Sequence, residues 1–285
     1  MTIIALILSC GALVMGARAA LPLPPSGTGG QVPPGAPSRT LTVATMADAL
    51  PLSGTGADGQ AAGLHVRMAR AVCERLRLDC RFTAMPADAL LDALVSGAVD
   101  MVAADLIVTD ERAARVRFAP AHARAASLLV GRAASWPDGP LPGGGPARAD
   151  DANPFDRLAG RVVVVAGGSD QAVALQRRAP RDAGAVLAPT HGEAVDALRS
   201  GEADAALLPL AIGLEVLGDG LIPLGPPLTD AGAGGPVALA TALGNRDLAQ
   251  GIGTVVEAMR RDGRIRALAR VSPDPLAAVP VEASR

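Results

Sequence analysis

The stretch DMVAADLIVTDER, residues 100–112, is the most informative part of the chain, because it joins a buried strand to an arginine at the start of a helix. Met101 to Ala104 reads as a short buried strand, and Thr109 has a side chain typical of a helix N-cap. Arg112 then falls in the first helical turn. Free backbone N–H groups at a helix start and a nearby guanidinium both suit a carboxylate. The stretch therefore predicts binding of a small anionic solute, although an N-cap followed by a surface arginine has the same pattern.

A second copy of this unit lies further along the chain. The segment LVSGAVDMVAA at 94–104 is echoed by LRSGEADAALL at 198–208, and both run from a helix through a glycine and an aspartate into a strand. The β-α-β-α-β order around the first copy predicts a parallel sheet with covering helices. The repeat predicts two lobes of this kind. Predicted strands are 40–45, one around Phe82, 101–104, 161–166 and 205–208, and predicted helices are 64–76, 88–96, 171–178, 191–200, 247–259 and 264–271.

The beginning of the chain predicts export. Thr2 to Gly16 is an apolar run too short to span a membrane comfortably, and Ala17-Arg18-Ala19 fits a cleavage site, so residues 1–19 are predicted to be a signal peptide. The residues around Cys10 loosely resemble a lipoprotein cleavage box, but the apolar run continues past this cysteine, which favours ordinary cleavage. Residues 20–39 are predicted to be a Pro/Gly-rich disordered tether, and 272–285 a C-terminal tail. The mature protein is expected in the periplasm.

Composition excludes several classes of function. The net charge of −2 gives no argument for a nucleic-acid partner, and the absence of lysine excludes a P-loop or a Schiff-base lysine. Gly54 to Gly59 spells G-x-G-x-x-G, but it does not open a helix directly after a strand, so we interpret it as a loop. The three histidines lack the spacing of a metal site, and we expect no metal and no cofactor. His65 is predicted at the surface, and His122 is a candidate for a cleft.

Cys73 and Cys80 are predicted to form a disulfide, because they remain as an even pair in an exported chain. A short loop of this kind stabilises by roughly 2–3 kcal/mol in the chain-entropy model. A metal pair and a catalytic thiol are the alternatives, and neither has supporting histidines nearby.

At this point the chain resembles the family 3 extracellular solute-binding proteins, the receptors of polar amino-acid ABC importers. The matching segments, in family order, are LTVAT, DGQAAGL, SGAVDMVAADLIVTDERAARVRFA, LAGRVVVVAGGSD, SGEADAALL and AMRRDGRIRALA. The cysteine pair is similar to the disulfide of the histidine and lysine-arginine-ornithine binding proteins. The resemblance implies a two-lobed α/β fold of the periplasmic binding protein type II, with a hinge between the lobes. Lobe one would combine residues 40–123 with 236–271, and lobe two would hold 124–235.

The resemblance also implies a ligand site. Arg112 matches the arginine that holds the α-carboxylate in the family, and Gly167, Gly168 and Ser169 match the carboxylate clamp of lobe two. Asp105 stands where the family has a small residue; it could hold the ammonium group or another cation, or be a solvated carboxylate at a strand end. The expected ligand-binding set is completed by the flanking residues Thr109 and Asp170.

Other family contacts are replaced in this sequence. Ala49 and Leu52 stand where the family has aromatic residues, and Ile107 stands where it has a hydroxyl. Pro209 replaces the acid that holds the α-ammonium, which puts recognition of a zwitterion by the family's own contacts in doubt.

The sequence therefore predicts an exported receptor for a small carboxylate-bearing, amino-acid-like solute, working as a monomer with the membrane permease of an ABC importer. An enzyme similar to periplasmic cyclohexadienyl dehydratases is an alternative, with Asp105 or Asp170 as the acid that such chemistry needs. A second alternative is an accessory or sensor protein that has lost amino-acid binding.

Overall fold

The computed structural model describes residues 40–139, 154–230 and 232–270. The predicted signal peptide, tether and C-terminal tail lie outside these residues. The first part of the chain forms β1 (Thr40–Met46), β2 (Asp48–Ala49), β3 (Ser53–Thr55), β4 (Ala61–Ala62), α1 (Leu64–Leu76), β5 (Asp79–Met85), α2 (Ala89–Val95), β6 (Met101–Val102), α3 (Asp110–Ala113) and β7 (Val116–Phe118).

The remainder crosses to a second α/β unit and returns. Its elements are β8 (Ala123–Ala125), β9 (Ser127–Arg132), β10 (Val162–Ala166), α4 (Asp170–Arg178), β11 (Gly184–Ala188), α5 (His191–Ser200), β12 (Ala205–Pro209), α6 (Leu210–Glu215), β13 (Leu221–Pro223), β14 (Gly235–Val237), β15 (Ala240–Ala242), α7 (Arg246–Arg261) and α8 (Arg264–Arg270).

Each lobe is built on a five-stranded sheet. The first has the order β5-β1-β6-β15-β7, and the second has the order β11-β10-β12-β9-β13. The predicted parallel pairing holds for β5, β1 and β6, and for β11, β10 and β12. Each sheet also contains strands outside the predicted β-α-β-α-β order: β15 runs antiparallel to β6 and β7, and β9 runs antiparallel to β12 and β13. The antiparallel strands β9 and β15 follow the two crossings between the lobes.

The crossings themselves are paired. β8 and β14 form a two-stranded antiparallel ladder in which Ala123 lies opposite Val237. This ladder joins the two five-stranded sheets, so the lobes are connected by two adjacent strands. A second small sheet, β2-β3-β4, contains part of the glycine motif, since Gly54 lies in β3 and the next helix begins only at Leu64.

The core is continuous across the two lobes. One cluster of buried side chains contains Leu90, Leu94 and Val102 from the first lobe together with Leu198 and Leu208 from the second. Helix α1 buries Leu64, Met68 and Val72 as its apolar stripe predicts, and the predicted disulfide joins Cys73 to Cys80. None of the helices in the described ranges is long and apolar enough to cross a membrane.

Candidate ligand-binding cleft

Arg112 is held at the start of a single-turn helix. Thr109 is the N-cap of α3, and its Oγ1 accepts a hydrogen bond of 3.3 Å from the backbone N–H of Arg112. The guanidinium Nη1 donates 2.9 Å to the carbonyl oxygen of Ile107. Two anchors therefore fix the backbone and one edge of the guanidinium, as the N-cap pattern predicted, and Nη2 is directed to the opposite lobe.

The opposite lobe presents the start of α4. Ser169 is the N-cap, and its Oγ accepts 3.2 Å from the N–H of Ala172 while donating 2.6 Å to the carbonyl of Ala166. The Ser169 hydroxyl is thus fully engaged within its own turn. Asp170 is the first residue of the helix rather than part of a turn before it. A negative charge in the first turn is favoured by the helix dipole.

Arg112 and Asp170 form an ion pair between the lobes. The distance from Nη2 to Oδ1 is 2.6 Å, and the two side chains are only 17% and 14% exposed. Burial raises the pKa of the Asp170 carboxyl, and the positive charge of Arg112 acts in the opposite direction. Asp105 adds to the rise in pKa as a second nearby carboxylate. The cationic group predicted to hold a ligand carboxylate is therefore already paired with a carboxylate of the protein.

The lobes also approach each other closely at Gly168. Its φ of 71° lies in the left-handed region, and a Cβ built there would lie 2.7 Å from Cβ of Asp88 in the first lobe. Glycine is required here both by the backbone conformation and by the proximity of the other lobe. Gly167, by contrast, has room for a side chain, since its nearest neighbour would be the Ala188 carbonyl oxygen at 3.6 Å.

A second contact between the lobes joins Asp48 to the start of α5. The backbone N–H of His191, the first helical residue, donates 2.8 Å to Asp48 Oδ2, and the imidazole Nδ1 lies 3.4 Å from the same oxygen. The hydrogen bond from the His191 side chain lowers the pKa of Asp48, partly offset by burial. Asp48 therefore places an anion at a helix N-terminus of the opposite lobe.

Asp105 is backed by two buried histidines. His65 Nε2 lies 3.6 Å from Asp105 Oδ1, and His65 Nδ1 lies 3.1 Å from His122 Nε2. Burial lowers the pKa of His122 well below its ordinary value, and the charges of His65 and Arg260 lower it further. The prediction that His65 lies at the surface was wrong, since it is 1% exposed. His122 lies behind His65 and is absent from the cavity wall between the lobes.

The cavity between the lobes is small in this closed arrangement, about 30 Å³, which is room for one or two water molecules. Five of the predicted ligand-binding residues line it: Asp105, Arg112, Gly168, Ser169 and Asp170. Thr109 and Gly167 are not part of the lining, and Thr109 acts through the position of Arg112. Ala49 and Pro209 do line it, so the substitutions at these two family contact positions shape the cavity directly.

Leu52 and Ile107 are buried elsewhere. Leu52 packs with Leu64 and Ala211, and the Ile107 side chain packs with Ala123 and Val237. Ile107 contributes to the cleft through its backbone, since its carbonyl oxygen accepts the hydrogen bond from Arg112.

His191 is a polar cleft residue that the sequence analysis did not place in the ligand site. It lines the small cavity and also a more open cavity of about 320 Å³ between the β2-β3-β4 sheet and helices α5 and α6. Its place in the first turn of a predicted helix was a usable indication, because the start of the second-lobe helix α4 also faces the cleft. Within the described ranges, no group of three or more His, Cys, Asp or Glu side chains is arranged to hold a metal ion.

Known proteins are similar to this chain in sequence and in fold. The putative ABC transporter arginine-binding protein 2 of Escherichia coli (strain K12) is 25% identical over 229 residues, which cover 79% of this chain and 87% of the relative. A solved ancestral arginine-binding protein bound to arginine has a TM-score of 0.70 at 24% identity, with 82% of this chain and 97% of that chain covered. The ancestral amino-acid-binding protein AncCDT-1, a precursor of cyclohexadienyl dehydratase, has a TM-score of 0.69 at 22% identity, covering 82% and 96%.

These two structures show that the fold is that of two-lobed binding proteins. Residues 41–271 match the bacterial extracellular solute-binding proteins, family 3. With most of its length matched in this way, the chain belongs to that family.

Proposed function

We propose that this protein is an exported receptor that captures a small, carboxylate-bearing, amino-acid-like solute and delivers it to an ABC importer. The observation that carries this proposal is the meeting of Arg112 and the start of α4 across the cleft. A guanidinium on one lobe and helix N–H groups on the other are complementary to a carboxylate held between them. The arginine-binding relative in E. coli supports an amino acid as the solute class.

The ligand's ammonium group is assigned to Asp105. Pro209 offers neither a charge nor a backbone N–H at the position where the resemblance places an acid. Asp105 is the carboxylate of the cavity wall that lies beside Arg112 without being its partner, and its side chain is 12% exposed. His65 faces this carboxylate from behind. A zwitterion would then lie with its carboxylate toward Arg112 and its ammonium toward Asp105.

Binding is coupled to closure of the lobes. The paired strands β8 and β14 are the proposed hinge, with residues 40–123 and 236–271 moving as one lobe and 124–235 as the other. A cavity of about 30 Å³ does not admit an amino acid, so the ligand enters an opened cleft and the lobes close over it. The permease would recognise the closed form. Residues 1–19 would direct export, and the mature protein would act as a periplasmic monomer.

The enzymatic alternative has weaker support. A dehydratase needs a cleft acid that can reach a substrate, and the engagement of Asp170 by Arg112 at 2.6 Å leaves Asp105 as the remaining candidate. An accessory or sensor protein would have the same fold and the same closure but would not deliver a ligand to a permease. Permease and ATPase genes beside the gene of this protein would argue against this alternative.

The proposal is tested by a thermal-shift screen of the exported protein against the L-amino acids, their amides and a set of organic acids. A ligand that binds the folded protein raises its melting temperature, and the stabilisation grows with the logarithm of the ligand concentration, to about 2.7 kcal/mol at one hundred times the dissociation constant. We expect stabilisation by at least one L-amino acid. Stabilisation by no amino acid at millimolar concentration would contradict the proposed ligand class.

A further inference from the structure

Asp170 occupies the position at which a ligand carboxylate would meet Arg112. Its Oδ1 lies 2.6 Å from Arg112 Nη2, which is hydrogen-bond distance for a charged pair. The other edge of the guanidinium is taken by the Ile107 carbonyl at 2.9 Å. Both terminal nitrogens of Arg112 are thus in contact with the protein, and the one that faces the opposite lobe is paired with a carboxylate. A ligand carboxylate that binds Nη2 from the cleft must displace Asp170 or share this nitrogen with it.

The net charge of the cavity wall also disfavours a ligand carboxylate. Of the carboxylate and guanidinium groups in the cavity wall, two are acidic, Asp105 and Asp170, and one is basic, Arg112. The ion pair leaves Asp105 as a negative charge without a guanidinium partner in that wall. Such a cleft attracts cations and repels a free carboxylate, since the cavity is small and the charges in it are poorly screened.

The ion pair also connects the two lobes, because Arg112 belongs to the first and Asp170 to the second. It closes the cleft with a contact that in a ligand-bound receptor would be supplied by the solute. A closed, empty form lowers the apparent affinity of a ligand that needs the open form by the fraction of molecules that are open. Asp170 therefore weakens the binding of a carboxylate in two ways. It competes for Arg112, and it lowers the population of the open state.

We propose that Asp170 is a specificity-determining residue, whose carboxylate competes with that of the ligand for Arg112 and biases the cleft toward cations without a carboxylate. This inference rests on the proposed function. It predicts that the preference for an amino acid over the corresponding amine is weak in this protein, and that it is restored by removing the Asp170 charge.

The experiment compares two probes that differ in one carboxylate, L-arginine and agmatine, by calorimetry with three forms of the exported protein. The forms are the native protein, Asp170→Asn and Asp182→Asn, an exposed carboxylate of the same lobe outside the cavity wall. The readout is the ratio of the agmatine dissociation constant to the arginine dissociation constant. We expect Asp170→Asn to raise this ratio at least about tenfold, or about 1.4 kcal/mol, and Asp182→Asn to change it less than about twofold.

An unchanged or lower ratio in Asp170→Asn would overturn the proposal, and a lower one would place Asp170 among the direct ligand contacts. Solution X-ray scattering of the ligand-free proteins provides a readout that needs no ligand. We expect a larger radius of gyration for Asp170→Asn than for Asp182→Asn and the native protein. If neither probe binds any form, the amino-acid part of the proposed function fails for these probes. The scattering then decides about Asp170, since equal radii would overturn its role in closure.

Discussion

Gly168 gives the sharpest test of how the lobes meet. The backbone of Gly168 has a φ of 71°. In Gly168→Ala the new Cβ would lie 2.7 Å from Cβ and 3.0 Å from the backbone nitrogen of Asp88. The left-handed conformation costs an alanine about 1–2 kcal/mol in both open and closed forms. The overlap with Asp88 exists only in the closed form, and overpacking of this kind costs about 1–3 kcal/mol. The two effects can therefore be measured separately.

The first effect is expected as a fall of about 1–2 kcal/mol in the free energy of unfolding by urea. The second is expected as a larger radius of gyration by X-ray scattering, together with affinity for a confirmed ligand that is weaker by roughly 5- to 150-fold. Gly167→Ala is the matched control, because its Cβ meets nothing closer than 3.6 Å and its φ is not positive. A Gly168→Ala protein that closes and binds like Gly167→Ala would refute this account of the interface.

Three further predictions concern stability. Replacing both Cys73 and Cys80 by serine should lower the free energy of unfolding by roughly 2–3 kcal/mol, measured with urea, because the closed loop spans only a sequence separation of 7; equal stability with and without the bond would contradict this. His122 has a pKa lowered well below 6.5, so the unfolded chain binds more protons than the folded one as the pH falls through that value. The free energy of unfolding should then decrease below about pH 6.5, by up to about 1.4 kcal/mol per pH unit, and His122→Gln should lack this component in parallel urea titrations. Because the pKa of Asp48 is lowered, its carboxylate adds to the free energy of unfolding. This stabilisation is complete above about pH 4 and is lost as the pH falls through the lowered pKa. Asp48→Asn should thus have a free energy of unfolding about 1 kcal/mol lower than that of the native protein at pH 7. The two free energies should become equal in acid, and a difference that persists at pH 2 would exclude the carboxylate as its cause.

Local patterns in the sequence predicted most helices and strands because their causes are local. Helix α1 begins at Leu64 and ends at Leu76 as predicted from its apolar stripe, and Thr109 caps α3 through its own side chain. The sequence also contains a local indication that His65 is buried. Ala69 and Val72 follow it at the spacing of one helix face, and both are buried. A polar residue at such a position needs a partner, and the partner here is His122.

The contacts between the lobes had no such indication. Asp48 and His191 are 143 positions apart, and Arg112 and Asp170 meet only because β8 and β14 bring the lobes together. The sequence placed both Arg112 and Asp170 in the ligand site as separate residues. That they pair with each other depends on the closed arrangement, and this pairing changes the expected ligand preference. The antiparallel strands β9 and β15 were missed for the same reason, because their partners come from a return crossing rather than from the local strand order.

We claim that the cleft holds a ligand carboxylate with Arg112, and a calorimetric titration measures the strength of this contact. The ligand is the amino acid that gives the largest thermal shift, titrated into the native protein, Arg112→Ala and Arg115→Ala. Arg115 is the matched control, an exposed arginine whose Nη2 lies 2.5 Å from Asp92 on the same lobe. We expect Arg112→Ala to weaken binding by at least about 2 kcal/mol, or roughly 30-fold, while Arg115→Ala binds as the native protein does. Native affinity in Arg112→Ala would contradict the claim.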